Sequence, residues 1–546
     1  MLRKRFLVLF LSLLLSFGAV MPAAAQESLV RECNQMKGTQ LIEPQVAAGD
    51  ATSFFLRQDQ KLWGWGHNSY GQAGNGEFIP EVTEEIYQPT PFLLTKDGGF
   101  NQGFKQVAGG RWHSLAVKND GTVWGWGDNQ YGQLGNLDPK PHSTPLQIPD
   151  LQDIKAVACG EFFSLALDKD GFVWAWGHNA SNELGRGGSA QYYKTPQQVK
   201  GLGGSGYLDN VKAIACGRFH SLAIKNNGTV WAWGDGTWGN FGNGEDFPDE
   251  IYPVQVLNLT NVTSITAGNY FNLALKNDGT VWAWGGRESG QLGDGEEDGF
   301  VNAPQPVKGL NGLGNLGGIK AITSGINHSL ALKNDGTILA WGGNYGRLGD
   351  GTDEGATTPV ATKNLTGVLA IAGGAAHSLA WKNDGTVWGW GDNASYQLGI
   401  EEHDNLLPVQ VTGIPLLARP LTGLSVQAAD GSGPAQLLTC FKPDVTGYEM
   451  IVENPLEAVK ITPAAVSGAT AVVKLNGAEQ SDGIVNLAVD PGLNKVEMVS
   501  SPGEFHPKAL SEPDLNLSAH PAPIIQPLDI SPSASARTTS VRVWQS

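Results

Sequence analysis

Residues 109–135, reading Gly-Gly-Arg-Trp-His-Ser-Leu-Ala-Val-Lys-Asn-Asp-Gly-Thr-Val-Trp-Gly-Trp-Gly-Asp-Asn-Gln-Tyr-Gly-Gln-Leu-Gly, return six more times along this chain in close variants. A motif that recurs at near-constant spacing must fold as one supersecondary unit stacked on its neighbours. The second Trp of the Trp-x-Trp-Gly core marks the register, at Trp65, Trp126, Trp176, Trp233, Trp284, Trp341 and Trp390, at intervals of 49 to 61 residues. Seven units of that length indicate a propeller or an array.

Within a unit, a short apolar run ends in Gly, a second run reads His-Ser-Leu-Ala-Val, and Asn-Asp-Gly separates it from the Trp-rich run. Asn-Asp-Gly supplies the left-handed backbone positions of a tight hairpin, so the runs are antiparallel strands. A fourth run follows a proline, as in Pro145-Leu-Gln-Ile and Pro408-Val-Gln-Val. Four strands make one blade, and seven blades close a ring that leaves only short edges.

The motifs Gly-x-x-His-Ser-Leu-Ala, Asn-Asp-Gly-Thr-Val-Trp-Ala-Trp-Gly and Asn-x-x-Gly-Gln-Leu-Gly together resemble the repeat of the regulator of chromosome condensation family over residues 46–417. That resemblance implies a seven-bladed β-propeller. Blade one departs from the pattern, with Gln58-Asp59-Gln60-Lys61 where the hairpin Gly is expected, and blade six has Leu339 for the first Trp. The expected fold is all-β: a propeller over 26–417 followed by a small antiparallel β-sandwich over 421–501. The order Leu421-Thr-Gly-Leu-Ser-Val, Phe441-Lys-Pro-Asp-Val-Thr-Gly-Tyr448, Val472-Val-Lys-Leu-Asn-Gly and Leu493-Asn-Lys-Val-Glu resembles cadherin-like modules of exported bacterial proteins. From Pro502 to Ser546, Pro, Ser and Ala dominate without periodicity, which predicts disorder.

Arg3-Lys4-Arg5, an apolar run over 6–20 and Pro22-Ala-Ala-Ala25 have the order of a secretory signal peptide, so residues 1–25 are expected to be removed. No later run is apolar enough to span a bilayer. The formal net charge is −17, and loss of those three cations takes the mature chain to −20. Such a chain repels nucleic acid and anionic membrane. Export permits disulfides among Cys33, Cys159, Cys216 and Cys440. Cys159 and Cys216 share a register position in neighbouring blades and could pair, or remain buried thiols.

Strand alternation puts the Gly-x-x loops and the loops after Trp-Gly on one face, with the Asn-Asp-Gly turns on the other. The turns are nearly uniform, as structural elements are. The Gly-x-x loops vary: blades two to five carry Arg111-Trp112, Glu161-Phe162, Arg218-Phe219 and Asn269-Tyr270. Aromatic residues beside Arg are the composition of a binding hot spot. The rings could instead pack between blades, whereas the charged residues are expected at the surface. The Trp-x-Trp pairs recur as core does.

The loops beyond Gln-Leu-Gly add acid, at Glu77, Glu245, Asp294, Glu296, Asp298, Asp350 and Asp353 among others. An acidic rim favours a basic partner. Asp294-x-Glu296-x-Asp298-Gly resembles the start of a calcium loop but has Gln305 at position twelve, so it reads as a solvated charge run. His113, His220, His328 and His377 share one register position, which a catalytic base would not. Gly201-x-Gly203-x-x-Gly206 and Gly312-x-Gly314-x-x-Gly317 lie between blades and open no predicted helix, so they are connectors. Neither metal nor cofactor is expected, and the chain is not expected to be an enzyme.

These readings lead to a secreted or cell-surface binding scaffold that recognises an extracellular or surface protein through one propeller face. An exported bacterial inhibitor of β-lactamases in the family offers an analogy. Carbohydrate or cell-wall binding is the alternative, with polysaccharide stacked on the aromatics. Guanine-nucleotide exchange on a small GTPase, as in the family's eukaryotic founder, is implied by the resemblance alone.

Overall fold

In the computed structural model, residues 42–77, 87–94, 103–245, 251–401 and 405–415 are described with their side chains, and a set of strands between 421 and 545 by backbone. The expected signal segment, Cys33 and Cys440 lie outside the described residues. Two compact units emerge, one over Leu41–Leu416 and one from the remainder.

The first unit is seven four-stranded antiparallel sheets, each ordered first to fourth as in the sequence. Blade one comprises Gln45–Ala48, Thr52–Leu56, Leu62–His67 and Tyr87–Leu93; blade seven comprises Val368–Gly373, His377–Lys382, Val387–Gly391 and Asn405–Gln410. First strands of successive blades face one another around a central channel, so the order runs outward along the chain. In blade two, Ala116 and Trp126 pack with Phe54 and Leu56 of blade one whereas Leu115 and Val117 pack with Ile154 and Val157 of blade three, so successive residues point into opposite blade interfaces. Hairpin chemistry follows the turn: Gly121 has φ of 81°, and in blade one Gln60 takes the same left-handed region at 65°.

The second Trp of every core is fully buried. An indole of roughly 200 Å² removed from water contributes about 5 kcal/mol, which makes these seven wedges the main apolar seal between blades. Most also donate a hydrogen bond to the preceding blade: Trp126 Nε1 to Gln72 O at 2.8 Å, Trp176 to Gln133 O at 2.8 Å and Trp341 to Gln291 O at 2.9 Å. Farther out, the glycines beyond Gln-Leu-Gly latch onto the next blade's outer strand, as Gly244 N to Asn302 O at 2.8 Å and Gly295 N to Thr357 O at 3.0 Å.

Blades one and seven each draw all four strands from consecutive sequence, so the ring closes by packing and not through a mixed sheet. Bonds that cross the seam include Ala375 N to Asp50 O at 2.9 Å, His377 Nε2 to Ser53 Oγ at 2.9 Å, Ser53 Oγ to Gln397 O at 2.6 Å and Trp65 Nε1 to Gln397 O at 2.9 Å.

The second unit contains two antiparallel sheets. One has four strands, led by Leu421–Ala428 paired with Val459–Ala465; the other has five, built on Gly492–Pro502. Its fifth strand is Val541–Gln545, paired with Gly447–Val452. The disorder expected from Pro502 onward therefore does not hold at Val541–Gln545, because Val-Arg-Val-Trp-Gln has the β-branched, period-two pattern that an edge strand needs.

Candidate functional site

Each first strand is followed by Gly at one mouth of the channel, where neighbouring backbones nearly touch. A Cβ on Gly110 would lie 2.7 Å from Gly160 O, and one on Gly217 2.7 Å from Gly268 O. Only glycine permits that approach. The next residues are joined around the mouth by backbone bonds, including Asp50 N to Gly110 O (3.1 Å), Glu161 N to Arg218 O (3.1 Å) and Asn269 N to Ile326 O (3.1 Å). They enclose a cavity of about 350 Å³ that opens to solvent.

Four of these mouth residues form one ion cluster. Glu161 accepts from Arg111 Nη1 and Arg218 Nε, and from Arg218 Nη2 at 3.2 Å. Its side chain is only 3% exposed, against 36% for each arginine. The expectation that all the charged residues face solvent thus fails at Glu161, because the adjacent blades deliver a cation on either side of it. The bond to Glu161 holds the Arg218 guanidinium above its ordinary range. Asp50, the blade-one member that sequence reasoning missed, lies 3.6 Å from Arg111 Nε. Burial, more than the arginine, raises its carboxyl above the usual range. The register Gly49-Asp50-Ala51-Thr52 could have revealed it, but it lacks the aromatic neighbour that marks blades two to five.

The aromatic members are half-buried, between the two readings the sequence leaves open. Trp112 packs on Tyr70 (5.2 Å between centroids), Phe162 on Tyr131 (5.2 Å) and Tyr270 on Trp238 (6.2 Å). In each pair the second ring belongs to the preceding blade's Trp-Gly loop, which places both loop sets on one face, as strand alternation requires. Arg111 lies over Trp112 at 5.0 Å and Phe162 at 6.0 Å, and Arg218 over Phe219 at 5.0 Å. Asn269 completes the set beside Tyr270, with Oδ1 buried and without a hydrogen-bond partner. Tyr70, Tyr131 and Trp238 were also missed, although the Asn-x-Tyr-Gly register of the first two was visible.

The remaining sequence motifs resolve into structure. His113 donates from Nε2 to Ser164 Oγ (2.9 Å), His220 to Asn272 Oδ1 (2.7 Å) and His328 to Ser378 Oγ (3.0 Å), each in the next blade. Burial pushes the imidazoles of His113, His328 and His377 down to about 3. They are neutral interblade pins. Cys159 and Cys216 are free thiols in the channel wall, and burial raises both. Asp294 pairs with Arg287 at 2.9 Å, while Glu77, Glu245 and Glu296 are exposed. The acid of these loops therefore lies around the circumference, where the latching loops run, apart from Asp50 and Glu161 at the channel mouth. Residues 78–86 and 246–250 of that rim lie outside the described residues. Leu202–Gly204 and Leu310–Gly312 are single 3₁₀ turns leading into strands, so neither Gly-rich motif opens an α-helix. Among the described residues there is no group of three His, Cys, Asp or Glu side chains placed to hold a metal ion.

Family models match most of this architecture. The RCC1-like domain covers 195–433, the regulator of chromosome condensation (RCC1) repeat covers 59–117 and 120–167, and the cadherin-like beta sandwich domain covers 421–506. The ultraviolet-B receptor UVR8 of Arabidopsis thaliana is 30% identical over 324 residues, 59% of this chain and 69% of the receptor. The E3 ubiquitin-protein ligase HERC2 of Mus musculus is 32% identical over 58% of this chain, which spans only 6% of the ligase. Among solved structures, Prp20p of Saccharomyces cerevisiae, described with its binding properties to Gsp1p and histones, superimposes with a TM-score of 0.55 at 24% identity. That match covers 70% of this chain and 89% of Prp20p, and shows a shared fold.

Proposed function

Because the chain belongs to the regulator of chromosome condensation repeat family, we propose that its propeller is an exported, non-catalytic scaffold that holds a partner protein on the channel-mouth face. One observation carries this reading. Three aromatic pairs, Trp112 with Tyr70, Phe162 with Tyr131 and Tyr270 with Trp238, sit half-buried astride blade boundaries, around an ion cluster whose charges cancel. Partly exposed aromatics held rigid by neighbours cost little entropy on binding, and arginine beside them adds directional donors.

Two further features support the choice of partner class. The circumference is acidic and the chain carries −17, so a partner with basic surface is steered toward it. The tripartite pattern over residues 1–25 supports export, and export separates the protein from cytosolic GTPases, which sets the exchange activity of the family's founder second. Prp20p is described with its binding to Gsp1p and histones; a protein as the class of partner here is an extension from that relative.

The test is capture from the secreted and surface fraction of the source culture by the mature chain. A matched variant carries Trp112→Ala, Phe162→Ala and Phe219→Ala. A protein retained by the parent and lost by the folded variant is the expected result. Retention of polysaccharide, displaced by free sugar and lost in the variant, would replace the protein partner with a carbohydrate. Equal capture by both chains would remove the function from this face.

A further inference from the structure

We propose that the channel mouth also binds a small zwitterion of the α-amino-acid class, its carboxylate on Arg111 and Arg218 and its ammonium on Asp50. This goes beyond protein docking and does not depend on it.

The argument starts from bonding capacity left unused. A guanidinium has five N–H donors; Arg111 gives one to Glu161, through Nη1, and Arg218 gives two, through Nε and Nη2. Both arginines are 36% exposed, so their remaining Nη hydrogens can reach a ligand. The Asp50 side chain is 26% exposed, and its contact with Arg111 Nε at 3.6 Å is longer than a hydrogen bond. That Nε is itself buried without a hydrogen-bond partner. Spare donors and a partly exposed carboxylate therefore stand side by side, joined by the loosest contact in the cluster.

Charge then selects the ligand. Two arginines, Glu161 and Asp50 sum to zero. A lone anion brought to the arginines would meet Asp50 and Glu161, and a lone cation brought to Asp50 would meet both guanidiniums. A molecule carrying both signs satisfies both sides without adding net charge. Asp50 and Arg111 stand side by side, so an ammonium and a carboxylate borne on one carbon can meet both. The cavity, about 350 Å³, is at the small end for ligand sites. Its uncharged side, at Ile326 and Ala375, leaves room for a short side chain.

The experiment is thermal unfolding of the mature chain with each of the common free amino acids at about 10 mM, a concentration that stabilises measurably at a Kd of about 0.1 mM. Calorimetry follows, comparing the best amino acid with its N-acetyl derivative, an anion, and its amide, a cation. The expected result is a rise in Tm with at least one amino acid, and binding weaker by about tenfold or more for each derivative. Asp50→Asn, checked for an unchanged unliganded Tm, should weaken binding similarly. No Tm rise with any amino acid, or a derivative that binds as tightly as its parent, overturns the proposal. The aromatic triple variant reads only partner capture, so either reading can fail alone.

Discussion

Acid will loosen this propeller through its interblade histidines. His113, His328 and His377 are fully buried, and burial holds each near 3, whereas an imidazole in the unfolded chain keeps its ordinary value of 6.5. Between those values the unfolded chain binds protons that the folded chain refuses. Stability is therefore complete above about pH 6.5 and is lost as the pH falls toward 3. At pH 5 each histidine contributes a loss of about 2 kcal/mol, at 1.36 kcal/mol per unit over about 1.5 units. Three together approach about 6 kcal/mol, a large part of a typical domain's stability. The control is already written in the chain, since Phe163 and Phe271 occupy the same register in blades three and five. In the variant H113F/H328F/H377F the facing serines keep their second bonds, for example Ser164 Oγ to Gln133 O at 2.8 Å. Urea unfolding followed by tryptophan fluorescence, at about pH 7.5 and about pH 5, should show the parent losing several kcal/mol more than the variant. Equal losses would refute the assignment, because surface carboxylates titrate alike in both chains.

Three other outcomes follow from the same geometry. Ser53→Ala removes a bond to Gln397 O (2.6 Å) and leaves His377 Nε2 unpaired, so it should cost about 1 kcal/mol more than Ser114→Ala, which loses only the bond to Gln72 O (3.0 Å); paired urea titrations would reveal the difference. Glu161→Gln leaves two guanidiniums without their shared carboxylate, and because both are one-third exposed the cost should be about 1–2 kcal/mol, an effect that shrinks in high salt. Cys159 and Cys216, half-buried in the channel wall, should react more slowly with a thiol-directed reagent at about pH 8 in the native chain than in the denatured one, since their setting raises both thiols; equal rates would refute that assignment.

What the sequence determined by itself is whatever depends on neighbours a few residues apart. The Trp register counted seven blades, Asn-Asp-Gly fixed the hairpins, and strand alternation assigned the Gly-x-x and Trp-Gly loops to one face. These follow from turn chemistry and period-two patterning, which are local. The ion cluster was not legible in the same way. Arg111, Glu161 and Arg218 were visible as residues, but 50 and 57 positions separate each carboxylate–guanidinium partner, and only the rotation from blade to blade around the channel brings them into bonding distance. The same rotation places Asp50 beside Arg111, buries Glu161 against expectation, and sets Trp112 on a ring from blade one. Closure was likewise a tertiary matter: whether a ring of seven shares a strand across its seam depends on how its two ends meet, and here two complete blades meet through Ala375 with Asp50 and His377 with Ser53.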